Sequence, residues 1–358
     1  MVQTGRCDLP LHYGKAPKWL FGRMVKLSKA IYEVIERDFG RDEFLRRISD
    51  PFWFQSFACV LGYDWHSSGT TTVTCGALKV ALNPEENGIA VLGGKGKASR
   101  KTPEEIENVS SIFSFSTDKM EKLIYSSKIS AKVDNNLVQD GYQLYQHSFF
   151  LTENGKWAVI QQGMNNFNSY ARRYHWLSDD VKDFVVEPQK AICCDKKGRT
   201  LNMTAKESEK SRKVSVDITK EKPKYLEGYL NKKRKKVFEY KLEMPKKHEI
   251  NLMLYKRLND LYEFKPKNYE EIVAFKGVGP KTIRALSLLG ELIYGEKPSF
   301  KDPAKFSFAF GGKDSIPYPI NKQKMDEATN IFETAINEAK LGKREKINSI
   351  KRLKNFVK

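Results

Sequence analysis

Apolar residues recur at intervals of three and four positions along residues 19–39. Met24, Leu27 and Ile31 follow this spacing, which places them on one face of an α-helix. Gly40 comes directly after the segment, and glycine is a residue type that commonly ends helices. The pattern therefore predicts a long amphipathic helix that ends at Gly40.

A strand and a glycine- and lysine-rich loop are predicted around residue 90. Residues 89–92 are a short apolar run, and the following letters, GGKGKASRK, are basic. Thr102 and Glu105 have the spacing of a capping box, with Pro103 in the first position of a helix. The segment therefore predicts a strand, a basic loop and a capped helix in that order.

Two apolar runs flank the dipeptide Asn154-Gly155, which is a strong signal for a β-hairpin. The second run, residues 157–160, predicts a strand. The first run is compatible with either a strand or the end of a helix.

A shift in composition divides the chain. Residues 195–247 are polar, highly charged and poor in large apolar side chains, which is typical of a connector. We therefore expect an α+β fold class, with a mixed domain over residues 1–194 that holds the candidate active site, and a helical domain over residues 248–358.

The charge of the chain narrows the choice of partner. The chain contains 63 Lys and Arg residues and 44 Asp and Glu residues, which gives a net charge of +19. Such a field attracts polyanions, of which nucleic acid is the most common. The alternative is a lysine-rich solvated surface that has no polyanionic ligand.

No stretch of the sequence is apolar for the roughly 18 residues that a membrane span needs. We therefore expect a cytoplasmic protein with no membrane partner. The five cysteines include no C-x-x-C pair, which favours reduced thiols over disulfides or a structural zinc site.

The segment FKGVGPKTIRAL, residues 275–286, joins two apolar-periodic stretches. It resembles the helix-hairpin-helix motif, which grips the DNA backbone without regard to sequence, although Ile283 stands where that motif usually has alanine. The resemblance implies DNA contacts through the backbone turn and its flanking cations. The residues concerned are Lys276, Gly277, Val278, Gly279, Lys281, Thr282 and Arg284.

Lys281 has a second interpretation. In base-excision glycosylases built on this motif, a lysine in this position forms a Schiff base with the sugar, and an aspartate about 20 residues later assists. Asp302 is the nearest candidate, but its surrounding sequence does not resemble theirs. We therefore interpret Lys281 as a phosphate contact, with a glycosylase or lyase as the less favoured alternative.

Two further basic clusters are candidates for DNA contact. One is the loop after the first strand, which suits a phosphate contact through amides and lysines but also a flexible basic loop. The other is the mixture of aromatic residues and arginines in YARRYHWLS, which suits stacking on unpaired bases but also a packed core. The predicted contacts are Lys95, Lys97, Arg100, Arg172 and Arg173.

Oxygen and nitrogen ligands are frequent in the first 194 residues. Asp64 and His66 would share a face of an extended segment and are the candidate catalytic residues; a divalent ion there would polarise phosphate and activate water. The sequence contains no recognisable nuclease motif, and each residue alone also fits a structural hydrogen bond. The candidate ligands for Mg²⁺, Mn²⁺ or Zn²⁺ are Asp64, His66, Asp134, Asp140, His147 and His175.

Long stretches of the chain, including SDPFWFQSFACVLGYDWHSSG, GGKGKASRKTPEEI and AKVDNNLVQDGYQLYQHSFF, resemble the family called domain of unknown function 763. That resemblance covers almost the whole chain and implies no particular activity. The residues therefore leave two hypotheses. One is a metal-dependent DNA nuclease or repair enzyme; the other is a non-catalytic adaptor that binds duplex, single-stranded or branched DNA. RNA is not distinguished from DNA by phosphate contacts alone.

Overall fold

A computed structural model of the protein describes residues 16–63, 68–194, 197–223 and 254–304. The fold is α+β, as the sequence predicts. The chain enters it through helices that pack together before the first strand. These are α1 (Lys18–Phe39), α2 (Arg41–Ile48), α3 (Pro51–Val60), α4 (Gly69–Ala81) and the short α5 (Pro84–Asn87).

Five antiparallel strands form the central sheet, in the order β1-β3-β4-β5-β6, and a two-stranded ribbon joins β2 to β7. The strands of the central sheet are β1 (Ile89–Lys95), β3 (Gln143–Thr152), β4 (Trp157–Asn165), β5 (Tyr170–Leu177) and β6 (Ala191–Cys193). The ribbon consists of β2 (Val138–Gln139) and β7 (Leu201–Asn202).

A 3-10 helix (Gly96–Lys101) follows β1 and runs directly into the next α-helix. The remaining described helices lie on the side of the sheet opposite to α1–α4. They are α6 (Thr102–Ile112), α7 (Thr117–Asn136), α8 (Glu209–Lys220), α9 (Leu254–Phe264), α10 (Tyr269–Ala274) and α11 (Pro280–Tyr294).

Two hydrophobic cores cover the two faces of the sheet. Val91 and Phe150 pack against α1–α4, while Leu92 and Phe149 pack against α6, α7 and the C-terminal helices. Consecutive residues of a strand point to opposite faces, and this alternation assigns them to different cores. A polar side chain in the covered part of a strand, such as Arg172 or Arg173, is therefore enclosed whichever way it points.

The second core joins distant parts of the sequence. Trp157 of the sheet belongs to the same buried cluster as Ile218 of α8, Leu261 of α9 and Leu286 of α11. Part of the segment predicted as a charged connector thus forms a helix that packs against the C-terminal helices.

Several local predictions are confirmed. Helix α1 ends at Phe39, and Gly40 has a φ of +84°. The Asn154-Gly155 dipeptide lies between β3 and β4, with Gly155 at a φ of +79°, so the first apolar run is a strand.

The predicted capping box at Thr102 and Glu105 is wrong. The 3-10 helix continues into α6, so Thr102 already has helical backbone angles and its hydroxyl donates to the Ser99 carbonyl. The Glu105 carboxylate instead accepts from the Gly93 N–H and from Lys79. Contacts made by the folded chain have replaced the local cap.

The described helices include none with the length and apolar character required to cross a membrane. The cysteines within the described ranges are free thiols.

Candidate functional site

A cleft of about 490 Å³ lies between the 3-10 helix after β1, the middle of α7 and the first half of β3. The end of α10 closes one side of it. Three cationic side chains line the cleft, Arg100, Lys128 and Lys132, together with the polar Ser127 and His147. The basic loop after β1 and the end of α10, which leads into the hairpin segment, therefore border one depression.

The basic loop presents its cations to solvent. Lys95, Lys97 and Arg100 are all exposed, and Lys95 Nζ lies 5.7 Å from the centre of the Tyr145 ring. This is the placement that phosphate contacts require, and those contacts stay a prediction.

The Gly-Val-Gly segment forms the turn between α10 and α11. Gly277 has a φ of +89°, a backbone conformation that residues with a side chain rarely adopt, so this position favours glycine. Gly279 precedes α11 with an extended backbone, and a Cβ atom built on it meets nothing within 4 Å. The surface next to Gly279 is therefore open.

Helix α7 holds this turn in place. Lys132 Nζ donates to three carbonyl oxygens at the end of α10, those of Val273 (2.9 Å), Ala274 (2.7 Å) and Phe275 (2.7 Å). Burial, with a smaller effect from Arg257, lowers the Lys132 pKa to about 8. A cation at the C-terminal end of a helix also complements the helix dipole. Lys132 therefore fixes the end of α10 to α7.

Three of the predicted hairpin contacts lie inside the fold. Val278, Thr282 and Arg284 are buried, and the Arg284 guanidinium donates to Gln139 Oε1 at 2.9 and 2.8 Å. Burial lowers the Arg284 pKa to about 10. The structure therefore gives Arg284 a docking role, and Gln139 extends it by donating to the Pro280 carbonyl (2.8 Å).

The outer part of the turn remains accessible. Lys276 and Gly277 are exposed, while Gly279 and Lys281 are half-buried. These four residues form the outer surface of the hairpin, and we call them the hairpin surface.

Arg172 and Arg173 belong to the interior and not to a DNA-contacting surface. Both are fully buried and point to opposite faces of the sheet. Arg172 pairs with Asp140 (2.6 Å) and Asp302 (2.8 Å). Arg173 donates to Gln55 Oε1 (3.0 Å). The pattern of aromatics and arginines in this strand therefore reflects a packed core.

The described members of the predicted metal set do not converge. His147 faces α7, whereas His175 packs edge-on against Phe54 of α3, on the other side of the sheet. Asp140 pairs with Arg172 and accepts from Tyr174. Within the described ranges, no three His, Cys, Asp or Glu side chains are grouped to hold a metal ion.

The candidate catalytic residues Asp64 and His66 lie outside the described residues. Metal-dependent chemistry at these two positions therefore stays a prediction.

The glycosylase interpretation of Lys281 loses its assisting carboxylate. Asp302 is paired with Arg172 and also accepts from the backbone N–H groups of Gly198 and Ala304. The nearby Arg172 and these hydrogen bonds offset burial and hold the Asp302 pKa below its usual value. Asp302 thus serves a buried ion pair.

A chain of buried hydrogen bonds leads from the cleft into the sheet. Ser127 Oγ lies 2.9 Å from His147 Nε2, and His147 Nδ1 lies 2.9 Å from Gln161 Oε1. Gln161 Nε2 donates to Asp134 Oδ2 at 2.6 Å. We call Ser127, His147, Gln161 and Asp134 the buried relay.

Two more donors complete the end of the buried relay. The Asp134 carboxylate also accepts from Trp176 Nε1 (2.8 Å) and Gln189 Nε2 (2.7 Å). Burial nevertheless raises the Asp134 pKa to about 8 and lowers the His147 pKa to about 4. At neutral pH the imidazole is therefore uncharged.

Sequence reasoning picked out Asp134 and His147 of the buried relay but assigned them to a metal, and it missed Ser127 and Gln161. Ser127 lies in a helix segment with several serines, and Gln161 in an amide-rich strand. Nothing local separates these two residues from their neighbours. The pairing of β3 with β4 sets His147 opposite Gln161, and the packing of α7 on the sheet brings Ser127 to His147.

Comparison with known proteins identifies the family of the chain but no individual relative. No curated protein and no solved structure matches the chain. The family described as protein of unknown function (DUF763) matches residues 5–320, which include the sheet, the cleft and the hairpin surface. The chain therefore belongs to the DUF763 family.

Proposed function

We propose that this protein binds DNA through the sugar-phosphate backbone, without sequence preference, and that the hairpin surface makes the central contact. The observation that carries the proposal is the open backbone at Gly279, directly before the 15-residue helix α11. Backbone N–H groups at the start of a helix, together with the helix dipole, favour an anion. A phosphate can approach only where no side chain stands in the way.

The surrounding charges support the same proposal. Lys276 and Lys281 flank the open backbone, and the cleft beside the hairpin adds Arg100 and Lys128. A strand that leaves the hairpin surface along the cleft would meet cations on both sides. The net charge of +19 provides a favourable long-range field for this encounter.

Rigid docking of the turn also supports the proposal. Lys132, Gln139 and Arg284 hold the hairpin against α7 and the ribbon. A turn that is already ordered loses little conformational entropy when it binds. Both hypotheses from the sequence, the nuclease and the non-catalytic adaptor, require such a binding surface.

A Gly279→Ala substitution is expected to weaken DNA binding by about tenfold while leaving the fold intact. The added methyl group meets no protein atom but occupies the approach of the phosphate, and one or two lost hydrogen bonds cost about 0.5–1.5 kcal/mol each. Fluorescence anisotropy with labelled duplex and single-stranded DNA measures the effect.

Gly22→Ala is the matched control, because Gly22 is exposed on α1 and a Cβ atom there also meets nothing within 4 Å. It should bind as the unmodified protein does. Equal affinity of both variants, at equal melting temperature, would remove the hairpin surface as the DNA contact. Tighter binding to RNA of the same sequence would replace DNA by RNA as the ligand.

Lys281→Ala is expected to reduce the salt dependence of binding. Each phosphate that a cation neutralises releases counterions and adds about 0.9 to the slope of log K against log salt concentration. Losing one contact should therefore lower the magnitude of the slope by about one. Lys26→Ala, a change of an exposed lysine on α1, serves as the control, and an unchanged slope for Lys281→Ala would contradict a phosphate contact at this residue.

A further inference from the structure

The order of donors and acceptors along the buried relay defines the state of the histidine. Asp134 Oδ2 accepts a hydrogen bond from the Gln161 side-chain N–H, which turns Gln161 Oε1 towards His147. An amide oxygen only accepts hydrogen bonds, so His147 Nδ1 carries the proton. His147 Nε2 is then the acceptor, and the Ser127 hydroxyl is the donor.

This arrangement matches the geometric requirement for an activated nucleophile. A hydroxyl lies within hydrogen-bond distance of a neutral imidazole, and a further group orients that imidazole from its other nitrogen. The Ser127 hydroxyl contacts His147 Nε2, and both residues line the cleft. The nucleophile and its base therefore meet at the one part of the buried relay that borders the cleft.

The cationic side chains in the rest of the cleft favour a negatively charged reactant. Arg100 and Lys128 are exposed cations on its wall, and the Lys132 ammonium lies at its end beside the hairpin. Cations around a reacting phosphate neutralise the charge that develops in its transition state.

We propose that Ser127 is a nucleophile, with His147 as its general base, that attacks the phosphorus of a phosphodiester bound in this cleft. The proposal rests on the proposed DNA binding, because the end of α10, which borders the cleft, leads into the hairpin surface. It adds a reaction centre that needs no residue outside the described part of the chain.

The reaction balances in two steps. Ser127 Oγ forms a bond to phosphorus and its proton passes to His147 Nε2, while the bond from phosphorus to one sugar oxygen breaks and that oxygen takes the proton from His147. Water then attacks the phosphoserine diester and gives a proton to His147. The Ser127 Oγ–phosphorus bond breaks, and Ser127 recovers the proton. Gln161 and Asp134 are positioning residues that hold His147 in the required tautomer.

Labelling of the intact chain with a biotinylated alkyl fluorophosphonate tests the nucleophile without DNA. We expect phosphonylation of Ser127, located by mass spectrometry, with loss of fluoride. Ser127→Ala should abolish the label, and His147→Ala should slow labelling at least about 100-fold, as expected for loss of a general base. Ser130→Ala is the matched control, since Ser130 is buried one turn further along α7 and donates to the Ser127 carbonyl.

A folded, unmodified protein that takes up no label at Ser127 would overturn the proposal. A label that persists at the same rate in His147→Ala would remove His147 as the base. A pH profile separates this role from a structural one, because labelling should stay constant from neutral pH down to about pH 5 and fall as His147 becomes protonated near pH 4.

DNA distinguishes failure of this proposal from failure of the proposed function. With internally labelled single-stranded DNA, which carries label in either fragment, we expect a denaturant-resistant adduct that Ser127→Ala abolishes while binding persists. Gly279→Ala should retain fluorophosphonate labelling but lose DNA affinity. Tight DNA binding without label or adduct would leave the binding function standing and remove the nucleophile.

Discussion

Replacing Arg172 by methionine is expected to lower the free energy of unfolding by about 3–5 kcal/mol. Arg172 is fully buried and pairs with two carboxylates, Asp140 and Asp302, whose side chains are 1% and 5% exposed. Removing one partner of a buried ion pair leaves uncompensated charge in a medium of low polarity. Urea denaturation followed by circular dichroism measures the loss.

A rescue experiment separates charge from packing at this site. Asp140→Asn and Asp302→Asn, added to Arg172→Met, remove the orphaned charges and should restore part of the lost stability. Arg46→Met is the control, because Arg46 is 60% exposed in its pair with Glu43 and exposed pairs contribute at most about 1 kcal/mol. A loss at Arg172 no larger than at Arg46 would show that the buried ion pair contributes little.

The buried ion pairs of Arg172 explain why the sequence pattern of β5 wrongly predicted a DNA-contacting surface. Alternating arginines and aromatic residues resemble a surface for nucleic acid as long as their partners are unknown. Asp140 and Asp302 lie 32 and 130 positions away in sequence, so no local pattern reveals the pairing. The local signals at Gly40 and Asn154-Gly155 were confirmed, whereas the local capping box at Thr102 was replaced by tertiary contacts of Glu105.

The predicted metal site also depended on long-range contacts that the local sequence does not reveal. Counting oxygen and nitrogen ligands along the chain gives no information about which face of the sheet each one occupies. His147 and His175 lie on β3 and β5, and the side-chain alternation of those strands sends the two imidazoles into different cores. That difference depends on strand register, which long-range pairing determines.

The hairpin is an intermediate case. Its helix ends and its glycines follow from local sequence, and the structure has helices on both sides of the turn. Its attachment to α7 through Lys132 does not follow from local sequence, because the contacted carbonyls lie 141 to 143 positions away. The local sequence thus predicted the glycine turn and its flanking helices, but it did not predict the attachment of the turn to α7.

Replacing Asp134 by alanine is expected to lower the free energy of unfolding by roughly 5 kcal/mol. Three buried donors, from Gln161, Trp176 and Gln189, would lose their acceptor, and each unsatisfied donor costs about 1–3 kcal/mol. Thermal and urea denaturation measure the loss. Asp134→Asn keeps the shape and one acceptor, so it should cost less and remain folded.

The isosteric variant also tests the protonation of Asp134. Burial raises the Asp134 pKa from 3.8 to about 8, so the folded state holds a proton that the unfolded state has released above pH 4. Stability from this group is therefore present at low pH and is lost as pH rises towards 8. His147, His175 and Lys132 also titrate differently in the folded and unfolded states near this window, but Asp134→Asn retains all three. The difference between the two proteins from pH 6.5 to 8 therefore reports on Asp134.

Relative to Asp134→Asn, the unmodified protein should lose up to about 2 kcal/mol from pH 6.5 to 8, at about 1.4 kcal/mol per pH unit. The comparison is made by urea denaturation at several pH values. If the two proteins keep parallel stability profiles from pH 6.5 to 8, Asp134 is ionised throughout. Its three donors then outweigh its burial, and the buried relay ends in a carboxylate whose negative charge strengthens His147 as a base towards Ser127.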